Sequence, residues 1–129
     1  MSHLPLANAE LAVMELLWQE DPLTSRAIRE KLYGDAPKAQ HGTVQRLLQR
    51  LEDKGFVHRD RSLSVHLFSP RVSRQAYAGE QLEGLARKLT GGSLAPLITH
   101  LMDEKRISPE EVARLRQILA EHDDGEEGQ

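Results

Sequence analysis

The sequence predicts a mainly α fold with one small β-hairpin, on three observations. Apolar residues recur at helical spacing in three short segments before Gly55 and in three more after Pro70. Between them the period drops from 3.6 to about 2, over a stretch rich in β-formers. Pro22, Gly55, Pro70 and the pair Gly91-Gly92 punctuate these segments where helices end or turns begin. Three helices followed by a hairpin is the order of a winged helix-turn-helix. The later helices read as a separate three-helix dimerisation domain.

Asn8 is the expected N-cap of the first helix, in which Leu11, Met14, Leu17 and Trp18 share a face. Glu20-Asp21-Pro22 ends it, because proline disfavours helical geometry in the residue before it. Thr24 or Ser25 caps a second, shorter helix carrying Ala27, Ile28 and Leu32, and a loop with Gly34, Pro37 and Gly42 follows. The third helix starts near His41 and stops at Gly55, well placed as a residue in the left-handed conformation. Phe56-Val57-His58-Arg59 and Val65-His66-Leu67-Phe68 are the two expected strands. They flank a basic tip, Asp60-Arg61-Ser62-Leu63-Ser64, and Pro70 closes the unit.

In the second half, Ala78, Leu82, Leu85 and Leu89 repeat at a spacing close to a coiled-coil seam. Gly91-Gly92 ends that helix, and Ser93 is the expected cap of the next, whose stripe is Leu94, Leu97, Ile98, Leu101 and Met102. Ser108-Pro109-Glu110-Glu111 is a start signal for the last helix, with an N-cap serine, proline at the first position and glutamate completing a capping box. Val112, Leu115, Ile118 and Leu119 form its apolar face. The expected organisation is therefore a winged-helix domain over residues 1–72, a helical dimerisation domain over 73–121, and an acidic, disordered tail over 122–129. So few residues hold too small a core to stand alone. Leu82, Leu85, Leu89, Leu97, Ile98, Leu101, Leu115 and Leu119 are accordingly expected to bury against a second copy, making a homodimer. Two-fold symmetry would present two third helices to half-sites about 34 Å apart, or a multiple of that.

The third helix carries the functional signal. Val44, Leu47, Leu48 and Leu51 fall on one stripe and face a core. The opposite arc presents Gln45, Arg46, Gln49 and Arg50, with Thr43 at its edge. Arginine bonds guanine or phosphate, glutamine bonds adenine, and threonine bonds phosphate or packs on the thymine methyl. Such a helix enters a major groove about 12 Å wide, whereas Glu52 and Asp53 in its last turn would repel phosphate. The candidate DNA-binding residues are thus Thr43, Gln45, Arg46, Gln49 and Arg50, with Arg59, Arg61 and Ser62 on the hairpin.

Charge agrees with this assignment once it is divided. The net −3 conceals 11 Lys and Arg against 9 Asp and Glu in residues 1–74, and 6 against 11 in residues 75–129. Residues 38–74 alone hold 8 basic and 3 acidic side chains, a local footprint suited to phosphate. With no cysteine, disulfides, thiolate metal sites and cysteine nucleophiles are excluded, and a reducing, cytoplasmic setting is expected. No apolar run approaches the ~20 residues of a membrane span, and the first residues lack the pattern of a signal peptide. There is no G-x-S-x-G, H-E-x-x-H or phosphate-binding glycine loop, so no enzyme, catalytic residue or cofactor is expected. His58 and His66 would face one another if the hairpin turned at Ser62, yet no third ligand has metal-binding spacing. Their protonation is instead expected to tighten DNA binding modestly at lower pH.

Several stretches in fixed order resemble the penicillinase-repressor (BlaI/MecI/CopY) family of bacterial regulators. They are Leu11-Ala12-Val13-Met14-Glu15-Leu16-Leu17-Trp18, Thr43-Val44 leading to Leu47-Leu48-Gln49-Arg50-Leu51, and Lys54-Gly55-Phe56-Val57. Gly91-Gly92-Ser93-Leu94 with Ile98, then residues 110–119, extend the similarity to nearly the whole chain. The resemblance implies a winged helix, a helical dimerisation domain and repression through palindromic operators in double-stranded DNA. It implies DNA contacts for Thr43 and Arg50 and places Arg59, Arg61 and Ser62 in a wing along the phosphate backbone. Gln45-Arg46 stands where better-studied members have Arg-Thr, implying a different base preference, and Gln40-His41 stands where the family often has Ser-Pro. The copper-sensing members' cysteine cluster is missing. In β-lactam-responsive members an upstream membrane sensor protease triggers cleavage at an Asn-Phe bond; here that position is His100-Leu101. The competing reading is a winged-helix protein-interaction module that does not bind DNA.

Overall fold

The computed structural model describes residues 5–34 and 40–127, with side chains described as far as residue 123. The order is α1 (Asn8–Gln19), α2 (Ser25–Tyr33), α3 (His41–Asp53), β1 (Val57–Asp60), β2 (Leu67–Pro70), α4 (Arg74–Thr90), α5 (Ala95–Asp103) and α6 (Pro109–Glu127). The chain divides into two compact units, residues 1–82 and 83–129, with the division falling inside α4. The fold is the expected one, mainly helical with a two-stranded antiparallel wing.

In the first unit a carboxylate, rather than the expected Asn8, starts α1. Ala7 is the N-cap, and the Glu10 carboxylate accepts from its N–H at 3.0 Å. Glu10 can do this because it is buried and its other oxygen accepts from Lys54 Nζ at 2.8 Å, at the end of α3. Thr24 caps α2, accepting from the Ala27 N–H. The amphipathic spacing of α3 buries Val44, Leu47, Leu48 and Leu51 against Val13, Met14 and Leu17 of α1 and Ile28 of α2. Trp18 and Leu11 are only half-buried at the edge of that core. Each fully buried aliphatic or aromatic side chain contributes about 1.5–3 kcal/mol by leaving water, so this cluster dominates the unit's stability. Gly55, at φ 84°, turns the chain out of α3 into β1, as expected of a left-handed C-terminal residue.

The strands lie one or two residues later than the period-2 pattern placed them. Val57 pairs with Pro70, His58 with Ser69, Arg59 with Phe68 and Asp60 with Leu67. His58 and His66 therefore do not face one another. Burial sets this register: Val57 and Phe68 must both point inward, and a one-residue slip of either strand would turn its own buried residue outward. Leu23 adds a bridge on the other edge of β2, exchanging two hydrogen bonds with Phe68 at 3.0 and 2.8 Å. The start of α4 belongs to this unit. Trp18 Nε1 donates to the Val72 carbonyl at 2.9 Å, Tyr77 Oη accepts from the Leu6 N–H at 2.8 Å, and the Tyr77 ring meets Phe56 edge-on at 5.7 Å.

In the second unit, Ala86 is the one side chain fully buried among the described residues. Ser93 is not the N-cap of α5. Leu94 takes that place, and the Ser93 carbonyl instead accepts from the Thr90 hydroxyl, closing the Gly91-Gly92 turn. Ser108 caps α6 as expected, accepting from the Glu111 N–H at 3.2 Å. Helix α6 runs on to Glu127, so residues 122–127, expected as a disordered tail, are helical. Bonds one turn apart, Gln117 to Glu121 and His122 to the Ile118 carbonyl, carry it past Leu119. The loop proline Pro37 and the last two residues of the tail lie outside the described residues.

Candidate nucleic-acid interface

Two neighbouring elements of the first unit present the candidate residues: the outer arc of α3 and the wing. On α3, Arg46, Gln49 and Arg50 are exposed, while Thr43 and Gln45 are half-buried. Arg46 and Arg50 make no hydrogen bond or ion pair with the described residues; Arg50 acts on the fold only through its charge, which helps hold Glu10 ionised. A Cβ placed on Gly42 would stand 3.5 Å from Arg46 Nη1, so the Arg46 guanidinium reaches back over the first turn of the helix. Gln45 is committed inward, its amide N–H donating to Ser25 Oγ at 3.0 Å. Gln49 donates to Asp53 Oδ1 at 2.9 Å, one turn along.

Glu52 corrects its expected role as a repulsive group. Its carboxylate is turned towards the wing, 3.0 Å from Arg61 Nη2 and 3.4 Å from Arg59 Nε. The three side chains tie the last turn of α3 to β1 and the tip. Arg61 remains half-exposed, so its ion pair is worth at most about 1 kcal/mol and can be exchanged for a phosphate. Arg59 is different: its side chain is only 12% exposed, and its guanidinium stacks on the Phe68 ring at 4.8 Å. Its Nε is buried without a hydrogen bond among the described residues. At the tip, Asp60 Oδ1 accepts from both the N–H and the hydroxyl of Ser62, at 2.9 and 2.6 Å, fixing the turn. Those two bonds, aided by the nearby His58 and His66, hold the Asp60 carboxyl below its ordinary range.

The eight candidates do not converge equally. Arg46, Arg50, Arg61 and Ser62 are exposed; Gln45, Gln49 and Arg59 are held by neighbours; Thr43 is half-buried. A shallow cavity of about 210 Å³ separates wing from helix, lined by Ser25, Gln45, Arg59, Ser64, Val65, His66 and Phe68. Sequence spacing gave no hint that Ser25, on α2, touches this site, because contacts between helices depend on packing angle. Among the described residues no three of His, Cys, Asp or Glu come together at metal-binding spacing. None of the described helices is long and apolar enough to cross a membrane. The leucines expected at a dimer interface are largely open in the single chain: Leu82, Leu85, Leu89, Ile98, Leu101 and Leu119 are exposed, Leu97 and Leu115 half-buried.

Comparison with known proteins adds an independent line. Residues 6–121 match the family model described as penicillinase repressor. The penicillinase repressor of Bacillus licheniformis is 28% identical over 120 residues, covering 91% of each chain. The transcriptional regulator BlaI of Mycobacterium tuberculosis (strain ATCC 25618 / H37Rv) is 33% identical over 122 residues, 93% of this chain and 86% of that protein. The solution structure of the DNA binding domain of the repressor BlaI aligns with a TM-score of 0.47 and 23% identity, over 60% of this chain and 94% of that one.

Proposed function

The chain belongs to the penicillinase repressor family, and on that premise we propose a DNA-binding transcriptional repressor that acts in the cytoplasm as a homodimer on a dyad operator. The observation that carries the DNA reading is the pair Arg46 and Arg50, exposed on the outer arc of α3 with no hydrogen-bond or ion-pair partner among the described residues. Unsatisfied guanidinium groups on a groove-sized helix are fitted to guanine edges and phosphates. Arg61 and Ser62 on the wing supply backbone contacts that fix the register of α3. The homodimer is supported by the open apolar stripe from Leu82 to Leu119, which a second copy would cover. An upstream sensor protease remains part of the proposal only as the releasing signal, with His100-Leu101 in α5 as the bond to examine.

Selection of duplexes from a random library, followed by mobility shift, tests the repressor reading. A two-half-site consensus should emerge, and affinity should fall steeply with salt, at a log–log slope of about −0.9 per phosphate contact. Enrichment of no sequence would leave the fold as a protein-interaction module.

A further inference from the structure

His41 is the first residue of α3, exposed, and its Nδ1 lies 3.3 Å from Arg29 Nη1 on α2. A guanidinium has five donors, no acceptor, and stays protonated in proteins. The ring nitrogen that faces it must therefore be the bare acceptor. A neutral imidazole carries one proton, so that proton sits on Nε2, the nitrogen not engaged by Arg29. The neighbouring Arg46 guanidinium reaches back over Gly42. The first turn of α3 thus gathers two donors, His41 Nε2–H and Arg46, and offers no competing acceptor from either side chain. In helix-turn-helix proteins the N-terminal residues of this helix are the ones that meet base edges.

We propose that His41, oriented by Arg29 with its proton on Nε2, is a specificity-determining residue that donates to a guanine in the operator's major groove. Guanine is the base that fits, since N7 and O6 are adjacent acceptors. Adenine sets an amino donor beside its N7, and thymine sets a methyl beside its O4. Arg29 is a positioning residue that acts through His41. This assignment rests on the DNA-binding reading above, and its test is arranged so that the two can fail separately.

The probes are the duplex selected by the wild-type protein and a random-sequence duplex of equal length. His41→Ala should weaken the selected duplex about five- to tenfold, the size of one hydrogen bond, and relax selection at one guanine. The random duplex should bind unchanged. His41→Gln, whose amide nitrogen stands where Nε2 stands, should restore both affinity and preference. Replacing that guanine by 7-deazaguanine should weaken the wild type and leave His41→Ala unaffected. Long-range proton–nitrogen correlation on histidine-labelled protein should show the His41 proton on Nε2, and Arg29→Met should abolish that single-tautomer signature. A proton found on Nδ1, or equal losses on selected and random duplexes, overturns the proposal while leaving the repressor reading intact. If the wild type selects no duplex at all, the repressor reading falls and this one falls with it.

Discussion

Arg46 and Arg61 are both exposed cations, yet their surroundings differ, and the proposed function gives them different work. Arg46 lies over the first turn of α3 with no partner among the described residues, whereas Arg61 is already balanced by Glu52. Arg46→Ala should cost about 1–3 kcal/mol on the selected operator and relax preference at one position. Arg61→Ala should weaken all duplexes alike and make the salt slope shallower by about 1. A titration of affinity against salt for both variants separates these outcomes, and identical behaviour would contradict the assignment. Glu10 works on stability instead. Burial opposes its ionisation, but the Lys54 ammonium, the Ala7 N–H and the Arg50 charge together outweigh that and hold its carboxyl below the ordinary 4.5. A depressed folded value means the stabilisation is fully present above about 4.5 and is lost as pH falls through the lower folded value. Urea unfolding should therefore show wild type and Glu10→Gln differing most near neutrality and converging in acid. A gap independent of pH would remove the carboxylate's role.

Gly55 and Phe68 control how the elements are joined. Gly55 has φ 84° and open space where a Cβ would go, so Gly55→Ala incurs only the left-handed backbone penalty, about 1–2 kcal/mol. Chemical denaturation should report that loss with affinity for DNA otherwise retained. The helices were readable in the sequence because Val44, Leu47, Leu48 and Leu51 obey one period and Gly55 ends it. The strand edges were not, because Phe56 and Val57 are both buried and so break the alternation that would have revealed the register. Asn8 and Ser93 misled for different reasons: the N-cap of α1 falls one residue earlier, at Ala7, whose N–H goes to the Glu10 carboxylate, and the Ser93 carbonyl is taken by the turn before α5. The outward arc of α3 was legible from periodicity, but the commitments of Gln45 to Ser25 and of Glu52 to the wing were not. Both are contacts between elements that no local spacing encodes.

Across the whole molecule, the basic stretch of residues 38–74 and the apolar stripe on the later helices fit the proposed division between reading and pairing. Leu85 and Leu89 are 46% and 67% exposed, so replacing both by glutamate costs little packing within one chain. Sedimentation should then show single protomers, in place of the dimer proposed for the wild type, and the dyad duplex should lose its high-affinity shift. A double variant that still sediments as a dimer would place the pairing surface elsewhere. One feature of the reading unit reaches further than any of these variants. Since neither Arg46 nor Arg50 makes a hydrogen bond or ion pair with the described residues, and Arg50 adds only its charge near Glu10, drift at these two positions should change the proposed address at little cost to the reader. A library randomised at those two sites should yield folded proteins with exchanged targets.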